Sequence, residues 1–567
     1  MVFTKDFVRD FYRVIQQDRV LVLVNNDIDA ICAARIVQCL FSWDQVIHTI
    51  VPITGKQTLE EAYLEHVEGV KYVLLINCGG ALDLVDILQP DPEIVFFILD
   101  SHRPLSVENI YNAVQTRIIL KQEQVDSDIP DYEDIFRDDE TDSDEDSGSD
   151  AEEGKRRRFD EDYLAKKQER RIWNQKRVEV MNKYQSTCYC GSSSALTMYI
   201  VAFTMSLNTT DMLWWAITGV TSQYIFHKVD HDHYFDSIGI LQDHVSRVSK
   251  RFDDTEAEYS MNSLKISFEN DIMADLYRHW NIYDSLCQSI YTASHFKVWT
   301  LKGKSRFHEF LAVMGLSLTQ CRQQFASMDA TLRNDVKSLL SEHSDKFNID
   351  QMALFIPTFV ASMGYRSKLS AVDYALVCAT ILEDMTRSDP VERFLMASDS
   401  LHRNNLAIFE KGVAQAIKLQ SVIMSQVQFL LSTNAVTPSK SFLYAILSEG
   451  SPESAHFQSP LMLERLAHFT LEAFISSEKC SARRKELPLV MLCPLGVSSD
   501  MTLVVGVPPM DTIKNDNSRN IFGEVFKHVQ QSVQCRTQHD SFDSHVIEVA
   551  KEDQELFLEG LLDVLSA

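Results

Sequence analysis

Five short runs of mainly apolar, often β-branched residues punctuate the first 125 residues: VLVLV (20–24), IHTIVPI (47–53), YVLLI (72–76), IVFFIL (94–99) and RIILK (117–121). A strand with one face in water alternates apolar and polar residues, whereas a strand covered on both faces does not. Unbroken runs of this kind predict a parallel α/β sheet with helices on both sides. The segments between them have apolar residues at helical spacing, as in DAICAARIVQCLF. In TLEEAYLEHV, Thr58 with Glu61 three residues later reads as a capping box.

Three of the runs end alike. VLVLV leads into Asn26, Asp27 and Asp29, YVLLI into Asn77, Cys78 and Gly79, and IVFFIL into Asp100, Ser101 and His102. Ligands of open parallel sheets bind at the carboxyl ends of the strands, so these side chains are expected to converge on one crevice. A single aspartate after a strand is commonly just a helix N-cap. Acids, an amide and an imidazole after three strands point to a shared ancestral metal site.

Composition limits the partners. The net charge is −27, from 81 acidic and 54 basic residues, and such a surface repels nucleic acid at long range. Tight, autonomous, nonspecific DNA binding is therefore disfavoured, and any DNA contact needs a local basic patch or help from partners. The 11 scattered cysteines suit a reducing compartment. Cys188 and Cys190 lack a second pair at zinc-ribbon spacing. The start, MVFTKDFVRDFYRVIQQ, reads as an amphipathic helix rather than a secretory leader. No apolar stretch reaches the roughly 20 residues of a membrane span, so no membrane association is expected.

A chain of 567 residues is too long for one core, and three segments are expected. The first, residues 1–235, is the α/β domain, completed by helices in ALTMYIVAFTMSL and DMLWWAITGVTSQYI. An insertion at about 138–165 interrupts it. There, DDETDSDEDSGSDAEE cannot collapse into a core, and it is followed by KRRR (155–158) and the basic helix KKQERRIWNQKR (166–177). Ser143, Ser147 and Ser149 precede acids and resemble acidophilic kinase sites, where phosphate would add about two charges each. KRRR reads either as a nuclear import signal or as a solvated counterweight to the acids. The second segment, residues 236–434, is expected to be all-helical. Gly315 closes one of its helices and Ser317 with Gln320 opens the next. The third, residues 435–567, returns to α/β, with strands in FLYAIL, LPLVMLC, TLVVGV and SHVIEV.

The strand-end pattern resembles the DHH phosphoesterases, which include the RecJ exonucleases. NDIDA, INCGG and LDSHRP look like altered versions of the first three motifs of that superfamily. DILQPD (86–91), DSHRP (100–104), YEDIFRD (132–138), DMLWWAITG (211–219), HWNIYDSL (279–286) and FLAVMGL (310–316) are more specific. They resemble the eukaryotic cell division control protein 45 family. That resemblance implies a nuclear factor for DNA replication initiation and elongation, a scaffold bridging the MCM ring and the GINS complex in the CMG helicase. Other fork proteins, including the replicative polymerase, are implied as further partners. It also implies a DHH-like domain, a helical helicase-docking module and a C-terminal DHHA1-like domain, in the order of the three segments.

The resemblance carries the metal-site positions onto Asp27, Asp29, Asn77, Asp100 and His102. Asn77 stands where the second motif has an acid, Ser101 where Asp-His-His has its first histidine, and Ser222 or Gln223 where the fourth motif has an acid. Two cations about 3.5–4 Å apart need anionic ligands to offset their repulsion, and a neutral amide supplies no charge. The expectation is a vestigial site in a non-enzyme, with no metal and no cofactor. The alternative is an active RecJ-like single-strand exonuclease or phosphoesterase. The C-terminal segment lacks a Gly-rich substrate stretch and offers only QHDSFDSHVIEV (538–549) near its place. Arg103, Arg156, Arg157, Arg170 and Arg171 are candidates for weak, salt-sensitive contact with single-stranded DNA. Trp280, Tyr283 and Trp299 are candidates for partner docking, or else fill the core of the central module. His227, Asp230, His231, Asp232 and His233 are expected to be surface residues rather than zinc ligands.

Overall fold

In the computed structural model, β1 (Val20–Asn25), β2 (His48–Ile53), β3 (Tyr72–Ile76), β4 (Val95–Leu99) and a fifth strand, Thr116–Ile118, form one sheet. All its pairings are parallel, in the order β2-β1-β3-β4-fifth. The structure describes the chain apart from residues 1–2, 122–127, 137–160, 255–263, 364–367, 386, 388, 451–452, 478–481, 497–498, 511–518 and 567.

β1 and β3 are buried along their whole length, which is why they read as unbroken apolar runs. Val20, Val22 and Val24 face a core built with helices Ile28–Trp43, Ser194–Thr204 and Thr210–Ile225. Leu21 and Leu23 point the other way, onto Leu59, Leu84 and Ile110. Truncating such a fully buried leucine to alanine costs about 2–5 kcal/mol. The two later helices thus pack onto the sheet from beyond the insertion.

The capping box expected at Thr58 and Glu61 is displaced. The helix runs Lys56–His66 with Gly55 as its N-cap. Thr58 Oγ1 accepts from Gly55 N at 2.9 Å, and Glu61 instead accepts from the Gln57 side chain at 3.0 Å. The cause lies 483 residues away in sequence, where Asp540 Oδ1 accepts from Gln57 N at 2.8 Å. Gly55 permits that approach, since a Cβ there would lie 2.0 Å from the Asp540 carboxylate.

The central module corrects the all-helical expectation. It is mostly helical, but Leu264–Ile272, Phe355–Met363 and Leu369–Ser370 form an antiparallel sheet. LKISFENDI opens by alternating buried Leu264 and Ile266 with exposed Lys265 and partly covered Ser267, the mark of a strand wet on one face. Helix His231–Asp254 also runs across the expected boundary at 235/236. One continuous apolar core joins the first, central and last segments. Within it, Trp214 packs edge-on against Tyr374 at 5.7 Å, and Trp215 Nε1 donates to Leu401 O at 3.0 Å.

The last segment holds a six-stranded sheet in which Leu443–Ile446 runs parallel to Leu489–Pro494. Leu489–Pro494, Met501–Val507 and Val546–Ala550 then pair antiparallel in that order. Helices Pro460–Ser476, Phe522–Ser532 and Gln554–Ser566 accompany it.

Asp373 is buried at the first turn of helix Ala371–Leu382. Its Oδ1 accepts from Leu276 N at 3.0 Å. Its Oδ2 and His279 Nε2 lie 3.9 Å apart, and neither has a hydrogen-bond partner among the described residues. Burial pushes the Asp373 carboxyl up to about 7. Between its ordinary and raised values the folded chain keeps a proton that the unfolded chain releases, so ionisation above neutral pH opposes folding. Asp373→Asn keeps the acceptor and removes the charge. It is expected to raise stability in urea unfolding at pH 8 by about 2–4 kcal/mol, with the gain shrinking as the pH is lowered to 5.

Candidate functional site: a carboxylate crevice at the sheet edge

The strand order reverses between β1 and β3, where open sheets of this order form their ligand crevice. Asp27 and Asp29 follow β1, Asn77 follows β3, and Asp100, Ser101 and His102 follow β4. These sequence-predicted residues do converge. Asp27, Asp29, Asn77, Ser101, His102, Ser222, Gln223 and Lys228 enclose a cavity of about 30 Å³, room for about one or two waters.

Asn77 is the centre of the cluster. It is 1 % exposed and sits in the left-handed region at φ 53°, which asparagine adopts more readily than most residues. Its Nδ2 lies 3.2 Å from Asp27 Oδ1 and 3.2 Å from Asp29 Oδ2. Its Oδ1 accepts from Ser101 N at 3.1 Å and from Ser194 Oγ at 2.6 Å. One amide thus links strand ends β1 and β4 to the helix that starts at Ser194.

Each acid is engaged by donors from the chain. Asp27 caps helix Ile28–Trp43, its Oδ1 accepting from Ala30 N at 2.8 Å, while Asn25 Nδ2 reaches its Oδ2 at 2.9 Å. Asp29 accepts from Ser194 N at 2.8 Å, Ala195 N at 3.1 Å and the Ser193 hydroxyl. It therefore receives the positive end of a second helix. Gly219 lets that carboxylate sit close, since a Cβ there would lie 2.7 Å from Asp29 Oδ1. Asp100 accepts from Gly80 N at 2.7 Å and His102 N at 2.9 Å.

The cations are protein-borne. His102 Nδ1 lies 2.7 Å from Asp100 Oδ1, and its Nε2 lies 3.3 Å from Asp543 Oδ1. Lys228 Nζ lies 3.3 Å from Asp543 Oδ2. Burial disfavours charge on His102, but Asp100 and Asp543 outweigh it and hold the imidazole well above its ordinary value. Burial likewise opposes the Asp543 charge, yet Lys228 and His102 hold it well below the usual carboxylate range. Burial pushes Asp27 up to about 6, with Lys228 pulling the other way. A second buried group adjoins them, in which His545 Nε2 lies 3.3 Å and His468 Nε2 3.8 Å from Glu464 Oε1.

The other candidates disperse. Arg103 is 4 % exposed, and its Nη1 donates to Asp100 O and His102 O, both at 2.9 Å. This corrects its expected role as a strand contact: it braces the turn after β4, whose carbonyls need donors. Arg170 and Arg171 are exposed on helix Glu161–Gln185. That helix is tied to the segment before the insertion by Trp173 Nε1 on Glu133 O at 3.2 Å and Lys176 on Asp134 at 2.6 Å. Ser143, Ser147, Ser149, Arg156 and Arg157 lie outside the described residues. Tyr283 and Trp299 are partly buried against the main core, and Trp280 is partly buried too. Tyr283 also meets His308 Nε2 at 3.0 Å and lies under the Arg322 guanidinium. Of the histidine cluster, Asp230 caps the next helix through His233 N at 2.8 Å, while the His227 ring lies tilted against His468 with centroids 4.5 Å apart.

Sequence reading missed Ser193, Ser194, Lys228 and Asp543. Lys228 and Asp543 lie inside two stretches that drew notice, FHKVDHDHYF and QHDSFDSHVIEV, but nothing in either names its partner.

These features define a class: an α/β protein in which a second α/β lobe closes over the carboxyl edge of a parallel sheet, onto strand-end acids already bonded by the chain. The family model CDC45 matches residues 20–155 and 121–564. The human cell division control protein 45 homolog is 40% identical over 572 residues, with 100% of both chains covered. The Schizosaccharomyces pombe homolog is 27% identical over 613 residues, covering 96% of this chain and 95% of the relative. The crystal structure of CDC45 from Entamoeba histolytica has the same fold, with a TM-score of 0.69 at 21% identity and 100% of both chains covered. The chain belongs to the cell division control protein 45 family.

Asn77→Asp would place a third carboxylate against Asp27 and Asp29 and remove the amide that donates to both. It is expected to destabilise the chain by about 3 kcal/mol, read as a lower urea midpoint at pH 7.5, with recovery as the pH is lowered toward 5.

Proposed function

We propose that this replication factor of the cell division control protein 45 family works without chemistry of its own, as a scaffold subunit. The observation that carries this is the Asn77 amide, which donates to both Asp27 and Asp29. A metal pair needs lone pairs directed at cations and anionic bridges between them. Here an N–H group points at those lone pairs, two helix N-termini take others, and the surrounding cavity is about 30 Å³. The residues do not fit a divalent metal pair. An acidic chain of net charge −27 also suits protein partners better than an autonomous grip on DNA.

On this reading the chain bridges the MCM ring and GINS within the nuclear CMG helicase, alongside other fork proteins and the replicative polymerase. The 236–434 module supplies docking surface. Tyr283 and Trp299 support that role by packing the module, and exposed Arg170 and Arg171 give modest contact with single strands. Among the described residues no helix is long and apolar enough to cross a membrane.

Incubation with 5′-labelled single-stranded DNA and manganese is expected to release no nucleotide. Release that vanishes in Asp27→Ala would overturn the scaffold reading in favour of an exonuclease. Pull-down of MCM and GINS subunits is expected from the full chain and lost on deleting residues 236–330. Retention of Arg170→Glu/Arg171→Glu on single-stranded DNA at low salt is expected to fall by about tenfold for two lost phosphate contacts, and unchanged retention would remove that helix as a DNA contact.

A further inference from the structure

Residues 538–545 of the C-terminal lobe touch the N-terminal domain at two separated points. One is the start of helix Lys56–His66, where Lys56 N donates to Asp540 O at 2.9 Å and Gln57 N to Asp540 Oδ1 at 2.8 Å. The other is the carboxylate crevice, where Asp543 meets His102 and Lys228. Lys228 belongs to neither point by sequence. It follows helix Thr210–Ile225 and borders both the 30 Å³ cavity around Asp27 and a larger inter-lobe cavity of about 170 Å³.

The charges explain why this contact needs a cation. Asp27 and Asp100 follow two strands of the first segment, Asp543 comes from the last, and all three are brought together at a buried edge. Carboxylates gathered in low dielectric repel one another unless positive charge sits among them. A metal ion is one way to supply it, and the donor set here does not fit one. Lys228 and His102 supply it instead. The Lys228 ammonium contacts Asp543 of one lobe, and its positive charge acts on Asp27 of the other.

We propose that Lys228 is a built-in substitute for a site cation, whose ammonium holds the 538–545 segment of the C-terminal lobe onto the sheet edge and so keeps the inter-lobe cleft closed. The lysine thereby turns a ligand crevice into a fixed joint between lobes. This rests on the non-catalytic reading of the crevice, but the two fail differently: nucleotide release tests the chemistry, and amide exchange tests the joint.

The test is hydrogen–deuterium exchange on the full-length chain, comparing Lys228→Met, Lys228→Arg, Asp543→Asn and the Lys228→Met/Asp543→Asn double variant. Met keeps the volume and removes the charge. Peptides covering 538–545 and 55–58 are expected to exchange at least tenfold faster in Lys228→Met, while β1 and β3 stay protected. Lys228→Arg is expected to restore most of the protection, which a purely volumetric role would not give. Asp543→Asn is expected to open the same peptides, and the double variant to be no faster than Lys228→Met alone. Millimolar manganese is expected to leave wild-type exchange unchanged. Unchanged exchange at 538–545 in both single variants would overturn the proposal. So would opening of β1 together with the joint in both, or manganese-induced protection of the wild type.

Discussion

The architecture depends on how a buried sheet edge tolerates several carboxylates at once. Asp27, Asp29 and Asp100 follow strands that are wholly or largely covered, so water cannot screen them. The Asn77 amide lies between the first two, helix N-termini take their remaining lone pairs, and His102 neutralises the third. Without these partners the edge would be a concentration of like charge in low dielectric. With them it is a rigid platform onto which the second α/β lobe can close.

That closure links distant parts of the chain. The same short C-terminal segment caps helix Lys56–His66 through Asp540 and reaches the crevice through Asp543. Gly55 is placed where only a residue without a Cβ admits the Asp540 carboxylate. The central module adds a second, apolar connection, because one core runs through all three segments. Polar contacts therefore set the register between lobes, while the shared apolar core holds them together. Burial of that core supplies most of the favourable free energy, whereas a buried ion pair is by itself weak evidence of stability.

The net charge of −27 repels nucleic acid at long range. The residues first suspected of touching DNA divide accordingly. Arg103 is drawn inward to satisfy carbonyls, and Arg170 and Arg171 remain outward on a helix anchored through Trp173 and Lys176.

The sequence by itself determined the buried strands β1, β3 and β4, because strands covered on both faces must be apolar throughout, and it placed Asp27, Asp29, Asn77, Asp100 and His102 at one edge. It also carried a resemblance in which Asn77 takes the place of an acid and Ser101 that of a histidine. It did not reveal the sheet in the central module, whose alternating strand is embedded among helical segments. Nor did it show that Thr58 would serve Gly55, that Arg103 would turn inward, or that Lys228 and Asp543 would meet. Those outcomes were decided by tertiary structure for one physical reason: a charge or a donor chooses its partner by distance in space. Lys228 and Asp543 come within 3.3 Å across 315 residues of chain, and no local periodicity encodes a pairing of that span.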